Sequence, residues 1–348
     1  MSNSIMFYNL LKAYIALGLH YFFKRIIVVN QKNIPENGPI LFVANHQNAL
    51  VDALLIATNN RRQTYFLTRA DAFKNKLVQY LLERLKMLPV FRIRDGISTV
   101  NQNNAIFEQC FDLLNNGYCI GIFPEGNHDL KRRLRPLSKG FTRIALGTVE
   151  KYQTELTIMP VGINYSAHQN FRGSVSLYFG KAIHVKDFYT GNFNSDSVKL
   201  KAAVSAKMKN LIVHIEDTDN YEKILSQLKA NGADFLNPFE TNLAVENIDH
   251  TNSMASYNTK SRGKMFLANV LSMNSLIPLL LWNRLYKTIK DPVMIATFKF
   301  CFGVFVFPLF YLAQGLIIIS ILNVWAGLAY LVFSVLTAPI LAHRNILK

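Results

Sequence analysis

The stretch "FVANHQNALVDALL" (residues 42–55) sets an imidazole, His46, and a carboxylate, Asp52, six positions apart directly after an apolar run. On one continuous helix six steps turn about 600°, which leaves the two side chains on different faces. They meet only if His46 stands on the turn entering a helix and Asp52 lies further along it. The flanks permit this. "PILFVA" (39–44) reads as a short buried strand and "ALVDALLIA" (49–57) as a helix, with Asn48 as the N-cap between them. A strand, a polar turn and a helix in that order form one unit of an α/β domain.

Outward from this unit the alternation continues. Strand-like runs recur at "TYFLTR" (64–69), "LPVFRI" (88–93), "YCIGIFP" (118–124), "LTIMPVGINY" (156–165) and "VSLYFGKAIHV" (175–185). Helix-like stretches separate most of them, at 71–87, 98–115 and 137–151, and 196–230 reads as helical. Strands alternating with helices predict an α/β domain over 31–215, with a largely parallel or mixed central sheet flanked by helices.

The two ends differ from this middle. Residues 300–342 run 43 positions without a charged side chain, which is enough for two membrane spans of roughly 20 residues each. They predict a transmembrane helical hairpin, with Gly, Pro and Asn323 available near its turn. Arg284, Lys287, Lys290 and Lys299 precede the run and Arg344 and Lys348 follow it, so both ends of the hairpin are expected on the cytoplasmic face. "FLANVLSMNSLIPLLLWN" (266–283) is a weaker apolar run broken by Pro278. It reads as an interfacial or re-entrant helix, with a third span as the alternative. Residues 1–30 are apolar and aromatic with Lys12, His20, Lys24 and Arg25 interspersed, and lack a signal-peptide pattern. They read as an amphipathic helix lying on a membrane, or else as a helix packed on the protein's own core. Residues 216–264 are polar and hold eight of the 22 acidic residues, as an extended linker or helical segment would.

A net charge of +16 points to an anionic partner: nucleic acid, phospholipid head groups or a phosphorylated substrate. The basic residues are spread along the chain and no aromatic-plus-basic recognition motif occurs, which argues against nucleic acid and against a scaffold built on that charge. Cys110, Cys119 and Cys301 have no metal-ligand spacing, so no metal site is expected, and Cys110 and Cys119 are assigned to the core.

Four polar clusters fall at the ends of strand-like runs: His46/Asp52; "VFRIRDG" (90–96) with Arg92 and Arg94; "IFPEGNHDLKRRLRPLSKG" (122–140) around Glu125 and Gly126; and "IMPVGINY" (158–165), where Pro160 and Gly162 interrupt an apolar strand. Each has a bland reading. A histidine at a strand end is often structural, two alternating arginines can simply face solvent, and a basic run is commonly a solvated loop. Together they fit the ligand crevice beyond the carboxyl ends of an open α/β sheet.

In this order the clusters resemble the glycerolipid acyltransferases, which include glycerol-3-phosphate and lysophosphatidate acyltransferases. The matching blocks are Asn45-His46…Asp52, Phe91-Arg92-Ile93-Arg94, Phe123-Pro124-Glu125-Gly126 and Met159-Pro160-Val161-Gly162, within residues 30–190. Two departures stand out. The family usually leaves four residues between His and Asp, whereas five lie between them here, an extra residue in the turn. Its third block usually continues with Thr or Ser and then Arg, whereas Asn127-His128 follow here; Arg132, Arg133 and Arg135 come next, and Arg135 is expected to take over the phosphate contact.

The resemblance implies transfer of a fatty acyl group from acyl-CoA or acyl carrier protein to a hydroxyl of glycerol-3-phosphate or lysophosphatidate, at a phospholipid membrane and without a cofactor. His46 is then the general base and Asp52 orients it. Arg92, Arg94 and Arg135 take the acceptor's phosphate, because guanidinium grips phosphate in bidentate fashion. Glu125 accepts from a glycerol hydroxyl or braces the site, and Gly126 lets backbone amides approach the developing oxyanion. Direct attack by the acceptor fits the absence of a G-x-S-x-G elbow from the sequence. The alternatives are another lysolipid acceptor, such as an acylated amino-acid lipid, or a membrane-tethered relative without activity.

Overall fold

Every residue of β2 (Ile40–Ala44) is fully buried, so this strand is covered on both faces. The computed structural model describes residues 2–91, 99–248 and 272–341. Side chains alternate along a strand. Ile40, Phe42 and Ala44 join the apolar cluster shared with α1 (Ser2–Phe22) and α2 (Ala49–Thr58). Leu41 and Val43 join the opposite cluster, shared with α4 (Thr99–Asn115), α5 (Gly140–Tyr152) and α6 (Phe193–Lys209). The result is a sheet between two helical layers.

The other strands are β1 (Arg25–Val29), β3 (Thr64–Arg69), β4 (Met87–Val90), β5 (Cys119–Ile122), β6 (Thr157–Tyr165), β7 (Ser174–Phe179) and the short β8 (Ile183–His184). Their order is β1-β7-β6-β2-β5-β3-β4, with β8 also on β6. The pairs β6–β7 and β6–β8 are antiparallel and all the others parallel, so the sheet is mixed and mostly parallel as expected.

Several boundaries move. Arg25–Val29, read as the tail of the N-terminal helix, is instead an edge strand. The run 175–185 splits at Gly180, whose amide donates to Pro160 O at 2.8 Å and whose Cα lies so close to Leu211 that a Cβ would stand 2.8 Å from that side chain. Pro160 and Gly162 do not interrupt β6. Pro160 sits between the segments paired with β7 and β8, where its missing N–H leaves no ladder bond unmade. The helix expected over 71–87 shortens to α3 (Lys76–Arg84), and Met87 already belongs to β4.

The polar stretch after 216 is no extended linker up to Ile248. It forms α7 (Tyr221–Ala230) and α8 (Pro238–Glu246) around Tyr221, Ile224, Leu228, Phe235 and Ile248. The side chains of Ser176 and Tyr178 on β7 donate to Leu236 O, tying this unit to the sheet. Residues 249–264 lie outside the described residues.

Toward the C-terminus, α9 (Leu276–Tyr286) has 11 residues, too few to cross a bilayer. Residues 266–271, where the re-entrant reading began, lie outside the described residues. The hairpin follows as α10 (Met294–Ile321) and α11 (Val324–Leu341), turning at Leu322 and Asn323, where the Asn323 side chain accepts from Ala326 N. Helix α10 is long and apolar enough to cross a membrane, with a mean hydropathy of 2.2 in its most apolar window. Helix α1 buries Ile15, Leu19 and Phe22 in the core and leaves Met6, Phe7, Leu10 and Leu17 exposed, so packing accounts for one face only.

Candidate active site

Strands β3, β4, β5 and β6 run parallel with β2, directly or through a neighbour, so their carboxyl ends share one edge of the sheet. Three of the four clusters meet there: Asn45–Asn48 after β2, Phe123–Gly126 after β5 and Tyr165 at the end of β6. Arg92 and Arg94 lie outside the described residues. The strand leading to them, β4, ends at Val90, and the Asn103 side chain holds the next residue by bonding both Phe91 N and Phe91 O.

His46 Nδ1 lies 2.9 Å from Asp52 Oδ2, so the two residues do meet across the turn. A carboxylate only accepts, so Nδ1 donates and the lone pair resides on Nε2. Asp52 is completely buried. Its Oδ2 also takes the amides of Gln47 at 2.8 Å and Asn48 at 2.7 Å, and its Oδ1 takes the Tyr165 hydroxyl at 2.5 Å. Asn48 is the N-cap by position, but its side chain caps nothing. It donates to His168 O instead, while Asp52 reaches back to the open amides as a capping acid does. The extra residue is absorbed at Ala49, whose φ of 43° is left-handed and brings Asp52 back over the turn.

The His46 turn is further held from both sides. The Asn45 side chain bonds Ile163 N and O, fastening the end of β2 to β6. The His46 ring stacks on Phe123 with centroids 4.1 Å apart. Its carbonyl accepts from Asp129 N, which draws the third cluster's loop onto the turn. His128 meets the His46 ring edge-on at 5.6 Å and pairs through Nε2 with Asp291 Oδ2 at 2.9 Å. Asp291 lies three residues before the start of α10, and the Thr297 hydroxyl donates to Asn48 O at 3.3 Å. Lys299, counted as a flanking cation in the sequence, lies inside α10 and donates to Gln169 O. The start of the apolar hairpin is therefore part of this wall of the site.

Glu125 is buried, its side chain 2% exposed, and pairs with Arg135 at 2.6 Å. Burial pushes its carboxyl up to about 7 against the pull of the Arg135 charge. One oxygen, Oε1, has no hydrogen-bond partner among the described residues. Arg135 also donates to Asn127 through both its side-chain oxygen and its carbonyl. Its guanidinium is thereby committed, so Arg135 braces the turn and does not stand open to a phosphate. Arg132 is buried over the Phe235 ring at 4.0 Å and donates to Ser166 O at 3.3 Å. Gly126 has a φ of 77° and nothing within 4 Å of where a Cβ would sit, which leaves the backbone approachable. Its own amide closes the turn onto Phe123 O, so it is not an oxyanion donor.

His168 is buried, and that burial, helped by the nearby Arg132 charge, pushes it down to about 3. Cys110 and Cys119 are buried thiols pushed up to about 12 and about 11, as expected of core cysteines. Among the described residues, no group of three His, Cys, Asp or Glu side chains is placed to hold a metal ion. Sequence reasoning missed Tyr165, Asn45 and Asp291 as members of the site. Tyr165 and Asn45 stood inside the quoted clusters, whereas nothing in the sequence marked Asp291.

Residues 25–164 match the acyltransferase family model. Over 129 residues the chain is 30% identical to glycerol-3-phosphate O-acyltransferase 1 of Saccharomyces cerevisiae, covering 35% of this chain and 17% of that relative. It is 25% identical over 181 residues to the 1-acyl-sn-glycerol-3-phosphate acyltransferase of Borreliella burgdorferi, covering 51% of this chain and 65% of that one. The chain thus spans about a sixth of the yeast relative's length and about two thirds of the bacterial one's. Among solved structures, the 1-acyl-sn-glycerophosphate (LPA) acyltransferase PlsC of Thermotoga maritima aligns with a TM-score of 0.42 at 20% identity, over 57% of this chain and 78% of its own.

Proposed function

We propose, with residues 25–164 a domain of the acyltransferase family, that the protein is a membrane-bound O-acyltransferase acting on a glycerophosphate-type acceptor. The donor is a fatty acyl thioester, acyl-CoA or acyl carrier protein, and the acceptor is lysophosphatidate or glycerol-3-phosphate. The observation that carries this reading is the His46–Asp52 pair on the sheet edge, its Nδ1 held and its Nε2 left to do chemistry.

An alcohol is a poor nucleophile near neutral pH. As its oxygen attacks the thioester carbonyl, His46 Nε2 takes the hydroxyl proton and Asp52 stabilises the imidazolium that results. The tetrahedral intermediate then collapses, the C–S bond breaks, and the leaving thiolate recovers the proton from His46. The reaction needs no acyl-enzyme and no cofactor beyond the donor.

Arg92 and Arg94 remain the phosphate ligands in this reading, since Arg135 is tied to Glu125 and Asn127. The open oxygen of Glu125 suits a hydroxyl of the acceptor. Helix α10 anchors the chain in the bilayer, and the basic residues on both sides of the hairpin, Arg284, Lys287 and Lys290 before and Arg344 and Lys348 after, favour the cytoplasmic face for the catalytic domain.

The test is acyl transfer by the detergent-purified full chain. Radiolabelled glycerol-3-phosphate and lysophosphatidate are offered side by side, each with acyl-CoA and with acyl carrier protein. One acceptor is expected to turn over, and His46→Ala is expected to lower that turnover by about 10²–10⁴-fold. Undiminished transfer by a folded His46→Ala protein would overturn the mechanism. No transfer to either acceptor would shift the reading to a lysolipid without phosphate or to an inactive relative.

A further inference from the structure

Helix α3 segregates its side chains sharply and then turns most of the apolar side outward. Leu77, Val78, Tyr80, Leu81 and Leu82 fall on one broad arc, with Arg84 among them beside Tyr80, and Lys76, Gln79 and Glu83 on the other. Only Leu82 enters the core; Leu77 is 69% exposed, Tyr80 50%, Val78 41% and Leu81 36%. An exposed apolar arc of this kind on a folded domain marks a contact surface.

Its surroundings say what covers it. Lys74 and Lys76 stand at the N-terminal end of the helix, where the backbone dipole favours acids, and its first turn has no acid. Among the described residues neither lysine is paired with an acid. Anionic head groups would supply that counter-charge. At the other end the Arg84 guanidinium lies 4.7 Å from the Tyr80 ring and 5.4 Å from that of Phe7 on α1, joining the two helices. Helix α1 continues the apolar surface through exposed Met6, Phe7 and Leu10 and is itself fastened to α10, its Tyr14 hydroxyl donating to Val304 O at 2.5 Å. The apolar surface thus passes from α3 across α1 to the helix long enough to span a bilayer.

We infer that α3 is an interfacial membrane helix. Leu77, Val78, Tyr80 and Leu81 enter the acyl region of an anionic lipid monolayer, and Lys74 and Lys76 take its phosphates. The catalytic domain lies on the bilayer by its own surface as well as being tethered through the hairpin. This does not depend on which reaction the site performs.

The test uses the full chain in lipid nanodiscs, with its three native cysteines replaced by alanine and an environment-sensitive NBD fluorophore attached at Leu77→Cys or at Gln79→Cys, about 200° apart on the helix. In discs of mixed zwitterionic and anionic phospholipid, the label at 77 is expected to emit to the blue and to be quenched several-fold by lipids carrying a nitroxide on the acyl chain. The label at 79 is expected to behave as in water. Lys74→Glu with Lys76→Glu should weaken quenching at 77 in anionic discs and leave it unchanged in purely zwitterionic ones. Equal, water-like emission at both positions would overturn the inference. So would a blue-shifted but unquenched label at 77 together with a mass of two chains per disc, because a second copy would then cover the face. Charge reversal without effect in anionic discs would overturn the role of the lysines.

Discussion

Two buried carboxylates follow neighbouring strands of the sheet and are held in opposite ways. Asp52, after β2, receives four donors: the His46 ring, two backbone amides and a tyrosine hydroxyl. Two of these donors are backbone amides and one a hydroxyl, so hydrogen bonds hold this carboxylate. Glu125, after β5, is met by one strong cation, Arg135, and retains an oxygen with no partner among the described residues. A fully satisfied acceptor fixes geometry, while an unsatisfied one invites a ligand. On the proposed function, Asp52 is a positioning group for His46 and Glu125 the group left to receive an acceptor hydroxyl.

The largest effect is expected from Asp52→Asn. The carboxamide turns an N–H toward one of the groups that now donate to Asp52 and removes the partner that fixes the His46 tautomer. Turnover should fall on the order of 10³–10⁴-fold with acceptor KM little changed. Steady-state kinetics of the purified variant, with circular dichroism as a check on folding, measure this. A loss under tenfold would mean that Asp52 only shapes the turn.

Arg135→Met tests the other side. It strands the Glu125 carboxylate in a buried site, and breaking such a pair costs about 3–5 kcal/mol of stability. The denaturation midpoint should drop and Glu125 should bind a proton more readily still. If Arg135 were a phosphate ligand instead, stability would hold and the acceptor KM alone would rise.

A smaller, pH-dependent effect belongs to Glu125→Gln. Burial raises Glu125 from an ordinary 4.5 to about 7, so the folded chain keeps a proton that the unfolded chain releases over this interval. Stability contributed by this group is greatest below pH 4.5 and falls as the pH rises toward about 7. Glu125→Gln should remove that slope, seen as a smaller difference between denaturation midpoints at pH 5 and pH 8. An unchanged slope would assign it to other groups.

What the sequence made legible follows from distance along the chain. The His46–Asp52 meeting is local, and a strand, a turn and a helix are enough to predict it. Asn45 and Tyr165 act through strand β6, more than a hundred positions away, and become part of the site only when β6 lies beside β2. Asp291 acts from beyond the polar stretch, and its approach to His128 depends on how the hairpin packs. Arg135 misled for a related reason. Its charge and its place in a basic run suggested a phosphate contact, but a buried carboxylate ten positions earlier already claims it. Burial, which the sequence reports only indirectly, decides that competition. The continuous apolar run of β2 was readable because both of its faces are covered, whereas β1 was hidden inside a longer apolar run that begins as helix.

The smallest expected effect addresses the turn itself. The spacing of five residues between His46 and Asp52 is accommodated by Ala49 in the left-handed region, where a side chain costs roughly 1–2 kcal/mol and glycine sits freely. Ala49→Gly should relieve that strain, offset in part by glycine's greater freedom in the unfolded chain and its poorer fit to a helix. The net expectation is a gain of up to about 1 kcal/mol in denaturant unfolding with turnover unchanged. Ala49→Val should lower stability by about as much or more, because a β-branched side chain tolerates positive φ least. If glycine stabilises and keeps activity, the turn conformation is what the longer spacing needs, and alanine merely tolerates it. If glycine stabilises but turnover falls, the strained alanine holds Asp52 against His46, and the comparison between the two carboxylates extends to the backbone: one is held by a turn under strain, the other by a charge.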